Sequence, residues 1–172
     1  MTEAALDIIP TAASPRFLEA DLIQWFVANV LKTGGAPNFT DGYSGTDVSG
    51  AIPLFPVVMQ DTPNDCAAIA CKIGASEPGY PVVKQVDVTM LIRASADEAN
   101  GMSAQFRANT FASVIRNWIR PEGRNRVNVT LPSGRFVLGF INSTRATIGQ
   151  DMANRFKVQV TFQMRLRGED PL

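Results

Sequence analysis

Arg155-Phe-Lys-Val-Gln-Val-Thr-Phe-Gln-Met-Arg-Leu-Arg167 alternates apolar and polar side chains almost without a break. Phe156, Val158, Val160, Phe162, Met164 and Leu166 fall on one face. Arg155, Lys157, Gln159, Thr161, Gln163, Arg165 and Arg167 fall on the other. Side chains along a strand alternate with a period of two, so the run predicts a long strand with one buried face and one wet, basic face. Strands commonly run about 5–6 residues, and one this long needs a sheet to pair with and an apolar cover on its buried side.

Both are written upstream. Residues 84–93 alternate in the same way, with Val86, Val88, Met90 and Ile92 on one face; residues 66–73 predict another strand and residues 54–59 a short one. Residues 127–131, a Pro-Ser-Gly turn and residues 135–141 predict a hairpin. Residues 147–154 read as a polar linker into the long strand, and the Gly- and Pro-rich residues 74–81 as a loop.

Two helices supply the cover. Ser14-Pro15 is a helix-opening pair, followed at helical spacing by Phe17, Leu18, Leu22, Trp25, Phe26, Val30 and Leu31, with Lys32 in the last turn and Gly34-Gly35 as the stop. Ser95-Ala-Asp-Glu98 matches a capping box and opens the second helix, with Met102, Phe106, Thr110, Val114, Ile115 and Trp118 as its inner stripe and Pro121 at its end. The expected fold is therefore α+β: a mostly antiparallel sheet with two amphipathic helices packed on one face. Residues 1–172 form one domain, carrying a flexible arm (1–13), a long loop (34–56) anchored by Phe39, Tyr43 and Phe55, and the hairpin at 127–141.

Composition narrows the chemistry. The chain has no histidine, which removes the commonest general base and metal ligand and every Ser-His or Cys-His pair. It shows no phosphate-cradling Gly-Lys-Ser loop and no dinucleotide fingerprint, so no enzyme activity, cofactor or metal is expected. Cys66 and Cys71, five residues apart on one strand, cannot reach disulfide geometry and read as small buried residues of a reducing compartment. No stretch approaches the roughly 20 apolar residues of a membrane span, and no secretory pattern opens the chain. The net charge of zero hides a division. Residues 1–115 carry 6 basic and 12 acidic side chains, a net of −6, and residues 116–172 carry 10 basic and 4 acidic, a net of +6. Opposite poles favour head-to-tail association, although both sets are equally readable as solvated faces.

Three segments carry a family resemblance. Met59-Gln-Asp-Thr-Pro-Asn-Asp-Cys-Ala-Ala-Ile-Ala-Cys-Lys72 is an acidic, Pro-containing turn leading into a strand. Gly79-Tyr-Pro81 precedes a strand that ends in Arg93 and runs into Ala-Asp-Glu-Ala. Ile148-Gly-Gln-Asp-Met-Ala-Asn-Arg155 leads into the closing strand. In this order the segments resemble the bacteriophage tail terminator, or tail completion, family of minor capsid and neck proteins, over residues 15–35 and 57–167. The chain departs from that pattern at Gln150, where a basic residue is expected, at Ala153-Asn154, where a Gly-containing turn is expected, and in its enlarged 34–56 and 127–141 segments.

The resemblance implies a virion protein, made in the host cytoplasm, that forms a homohexameric ring. Such a ring caps the tail tube, ends its polymerisation and meets a head-completion or stopper protein, with association as its only chemistry. The expected contact residues are Arg155, Lys157, Gln159, Gln163, Arg165 and Arg167 on the polar strand face and Phe39, Tyr43 and Phe55 in the long loop. An Arg/Lys-lined lumen would also touch passing DNA without reading its sequence. The polar face is equally readable as a passive, solvated one. Two other readings stay open: a stopper ring between portal and tail, and a small-molecule-binding α+β regulatory domain.

Overall fold

The long strand is an interior strand of its sheet, paired on both sides. The computed structural model describes residues 17–44, 48–119 and 128–167. Its strands are β1 (Phe39–Asp41), β2 (Ile52–Pro56), β3 (Cys66–Glu77), β4 (Tyr80–Ala94), β5 (Val129–Thr130), β6 (Phe136–Gln150) and β7 (Phe156–Arg167). They form one sheet in the order β1-β2-β3-β4-β7-β6-β5. β7 pairs antiparallel with β4 along Val83–Arg167 to Ala94–Phe156, and with β6 on its other side. β1–β2 and β2–β3 are parallel and the remaining pairings antiparallel, so the sheet is mixed.

The alternation in the sequence becomes the division between the two faces. Val86, Val88, Met90 and Ile92 of β4 join Val158, Val160, Phe162 and Met164 of β7 in one fully buried layer. Helices α1 (Leu18–Asn29) and α2 (Ala104–Trp118) cover that layer. Phe26 of α1 meets Phe162 edge-on, Trp25 lies against Phe140 of β6, and Trp25 and Trp118 join the two helices. The fold is α+β with two helices on one face of the sheet, as the periodicity predicts. Trp25 and Phe26 are core residues.

Several local expectations are corrected. Residues 34–56 are not a strandless loop: β1 and β2 form there and extend the sheet by parallel pairing. Neither is long enough to show a periodicity of its own. The short strand expected at 54–59 is β2, which ends at Pro56 because Val57 turns to a left-handed φ of 64°. Residues 74–81 are not a loop, since β3 runs to Glu77 and β4 starts at Tyr80 around a tight turn at Gly79 (φ 81°). The polar linker at 147–154 is likewise strand to Gln150, followed by a tight turn. Polar residues make good strand there because that part of β6 is exposed.

The helices also begin later than their sequence signals. In α1 the N-cap position is Phe17, with no side-chain cap, and Ser14-Pro15 lies outside the described residues. Lys32 is beyond the helix, where its Nζ donates to the Gly50 carbonyl at 2.6 Å. The capping-box sequence forms only a 3-10 turn at Glu98–Asn100, held by Asp97; the cap of α2 is Ser103, whose Oγ accepts from the Phe106 N–H. The inner stripe of α2 is rotated accordingly. Ala104, Ala108, Ala112 and Ile115 are buried, whereas Met102, Phe106 and Thr110 are exposed. Three alanines in line let the helix approach the sheet closely, which a Phe on that line would prevent. The arm at 1–13, Pro121, residue 127 of the hairpin and the C-terminal residues 168–172 lie outside the described residues.

One glycine is required by packing. A Cβ on Gly42, just after β1, would stand 2.4 Å from the ring of buried Phe55. Gly42→Ala is expected to displace that ring and cost about 1–3 kcal/mol, as overpacking does. Urea unfolding of the variant against the parent protein measures this; an unchanged midpoint would show that the ring yields freely.

Candidate interaction surface

Parts of the three sequence segments that carry the resemblance meet at one end of the sheet: loop 57–65, the Arg93 end of β4 and the turn at Asp151–Arg155, whereas Gly79-Tyr-Pro81 forms the β3–β4 turn at the opposite end. Loop 57–65 folds across the ends of β3 and β4 and is held there from beneath by Arg93, the next-to-last residue of β4. Arg93 is only 3% exposed, and no carboxylate pairs with it among the described residues. Its guanidinium donates instead to four backbone carbonyls: Nη2 to Gln60 (2.6 Å), Asp61 (2.8 Å) and Pro63 (2.8 Å), and Nε to Asn64 (3.0 Å). Carbonyl dipoles thus take the place of a counter-ion, as burial of a charge demands.

Arg155 closes the same loop from the other side. Its Nη1 donates to the Asp61 carbonyl (3.0 Å) and its Nε to Asp151 (2.9 Å) across the β6–β7 turn. Asp151 also accepts the Ala153 and Arg155 N–H groups, and Asn154 takes the left-handed φ of 58°. Asn is among the few residues that adopt this conformation readily, which is how the turn forms without the expected glycine. At the loop's C-terminal end, Asp65 accepts from the Ser95 N–H and Oγ (both 2.7 Å) and pairs with Arg107 of α2.

This scaffold presents apolar side chains to solvent. Val57 and Val58 are exposed at the start of the loop and Met152 at the tip of the β6–β7 turn. Val57 is a β-branched residue at positive φ, a strained conformation, fixed by Val57 N–H to Ile69 C=O and Val58 N–H to Pro56 C=O bonds.

Burial places desolvation first among the influences on Asp151 and would raise its carboxyl pKa, but the three bonds from Arg155 and Ala153 outweigh it and hold the group below the ordinary carboxylate value. A depressed folded-state pKa stabilises the turn above the unfolded value of about 3.9 and loses that contribution as pH falls through the folded value. The Arg155 and Ala153 amides are therefore expected to stay protected from hydrogen exchange down to pH near 4 and to lose protection below it. Loss of protection already at pH 5–6 would contradict the assignment. Burial also raises both thiols, Cys66 against the opposing pull of Arg93 and Cys71 with help from Glu19, so neither is a nucleophile at neutral pH.

The proposed contact residues divide. Phe39 and Phe55 are buried and serve the core; they are not available to a partner in this fold. Tyr43 is exposed and stands edge-on to Phe55. Arg155 does not sit on the open sheet face but is spent on Asp151 and loop 57–65. Lys157 approaches Asp151 at 3.6 Å. On the helix-free face, Gln163 accepts from Gln85 (3.1 Å) and donates to Asp87 (2.9 Å), while Gln159 donates to Thr161. Arg165 is half-buried on this face and Arg167 is exposed at its end. The face is thus an internally bonded polar ladder interspersed with apolar and small side chains: Ala68, Leu91, Gln159 and Ala146 align across it, as do Ala70, Thr89, Thr161 and Thr144.

An open cleft of about 510 Å³ lies beside β1 and β2, lined by Asp41, Gly50, Phe55, Pro63, Asp65 and Ser95, among others. No sequence signal marks it, because its walls come from β1, β2 and the segment between them, from loop 57–65 and from Ser95 after β4, which are separate in sequence. Among the described residues no group of three or more metal-ligating side chains occurs, and no helix is long and apolar enough to cross a membrane.

Fold and surface together define an α+β domain whose sheet is covered on one face and whose loops are pinned into a rigid end. A scan against protein-family models finds no match to this chain, and a search of curated proteins finds no relative.

Proposed function

We propose that this chain is a structural protein of a bacteriophage neck, a tail terminator that assembles as a homohexameric ring, caps the tail tube, stops its polymerisation and joins the tail to the head. The observation that carries this reading is the convergence of one part of each resembling segment: loop 57–65, Arg93 and the Asp151–Arg155 turn build one end of the sheet through Arg93 and Arg155. Such an end suits a docking role, because a preorganised surface loses little conformational freedom on binding. The exposed Val57, Val58 and Met152 give it apolar contact points. In this reading the partners are further copies of the chain, the tail tube and a head-completion protein, and the place of action is the virion.

The test is solution mass by light scattering together with capping of purified tail tubes. The expected result is a species near six times 18.6 kDa, or a ring found only on tube ends, with tails of uncontrolled length when the protein is missing. Reversing Arg165 and Arg167 to glutamate tests the open face: impaired ring formation or joining assigns that face to a contact, and unchanged assembly leaves it solvated. A monomer that never binds tube ends would overturn the proposal.

A further inference from the structure

We infer that the cleft beside β1 and β2 receives Arg145 of a second copy of this chain, an inference that rests on the ring reading and names the contact that closes it. The Asp41 carboxylate at the cleft accepts the Tyr43 N–H at 2.9 Å and has no cation among the described residues. By contrast, Asp21, Asp65 and Asp151 all have arginine partners within the chain. Pro53 and Pro63, both accessible, supply apolar and planar surface in the same cleft. An acid over such a floor suits a guanidinium, which is weakly hydrated, stacks on flat surfaces and carries an aliphatic stem.

The complementary group stands at the other margin of the sheet. Arg145 of β6 is exposed and has no acceptor among the described residues, and its exposed neighbours Thr144, Ala146 and Thr147 are uncharged. The strand order puts β1 and β2 at one side and β6 at the other. A two-fold dimer through the cleft would set Asp41 against Asp41. Copies placed side by side in one orientation instead set the cleft of one against β6 of the next, a heterologous contact that closes into a ring when the rotation allows. The net charges of −6 for residues 1–115 and +6 for residues 116–172 agree with that pairing of unlike margins.

The experiment is light scattering over a range of protein concentrations at low and high salt, on the full chain and on Asp41→Arg, Arg145→Asp and the double swap. Asp41→Asn is included because it keeps an acceptor for the Tyr43 N–H, and melting temperature checks that each variant folds. Each single reversal is expected to weaken association about tenfold or more, the double swap to restore most of it, and salt to weaken the parent protein. If the parent assembles and the single reversals assemble equally well, the inference is overturned while the ring reading stands. Single losses without rescue by the double swap overturn the direct pairing. A parent protein that stays monomeric at every concentration also overturns this contact, and the proposed function is then decided by tube capping alone.

Discussion

Replacing Asp21 by alanine is expected to cost about 3–5 kcal/mol, a large share of the roughly 5–15 kcal/mol by which a domain is stable. Asp21 lies on α1, is fully buried, and reaches the turn between β5 and β6. Its Oδ1 accepts the Ser133 N–H at 2.9 Å; its Oδ2 accepts the Ser133 hydroxyl and pairs with Arg135 at 3.3 Å. It is the bond by which the first helix holds the far side of the sheet, 112 residues away in sequence. Truncation removes the acceptor and leaves a backbone donor and a nearly buried guanidinium (13% exposed side chain) without it. Asp21→Asn keeps the shape and one acceptor, so its cost is expected to be smaller, about 1–2 kcal/mol. Urea unfolding of both variants checks the order. Equal stability of Asp21→Ala and the parent protein would mean that the turn rehydrates without penalty.

Arg93→Ala carries the second large effect, about 3 kcal/mol. Hydrogen bonds to a charged group contribute about 1.5–3 kcal/mol each, but the carbonyls of exposed Gln60, Asp61 and Asn64 regain water once the loop is released, so the four bonds do not add. The sharper readout is local. Loop 57–65 is expected to become susceptible to limited proteolysis, and tube capping to fall with it, while the β4–β7 core keeps its amide protection. Arg93→Lys is expected to rescue little, because an ammonium lacks the planar fork that spans Asn64 on one nitrogen and three carbonyls on another. A loop that remains protease-resistant in Arg93→Ala would show that Arg155 and Asp65 suffice to hold it.

Arg93 also marks where reading by period stops. Its place in the alternation is opposite Ile92, on the side that is polar in Gln85 and Asp87, so the pattern assigns it to water. It is buried because a loop from 30 residues earlier closes over it. The burial of Phe39 and Phe55 has the same origin. Each looks like a stray aromatic in a polar loop until β1 and β2 pair in parallel beside β3, a long-range choice made by the whole sheet.

What the sequence determined by itself is whatever depends on neighbours close along the chain. Period-two alternation over 84–93 and 156–167 names the two central strands and their inner faces, and helical spacing names α1 and α2, because each such element must hide one continuous apolar side. The rotation of α2, the convergence of Arg93, Asp65, Asp151 and Arg155 on one end, and the Asp41 cleft were decided only in the tertiary structure. Each is a contact between segments distant in sequence. Its energy comes from filling one shared space and desolvating paired groups, and no local pattern records with whom a residue will share that space.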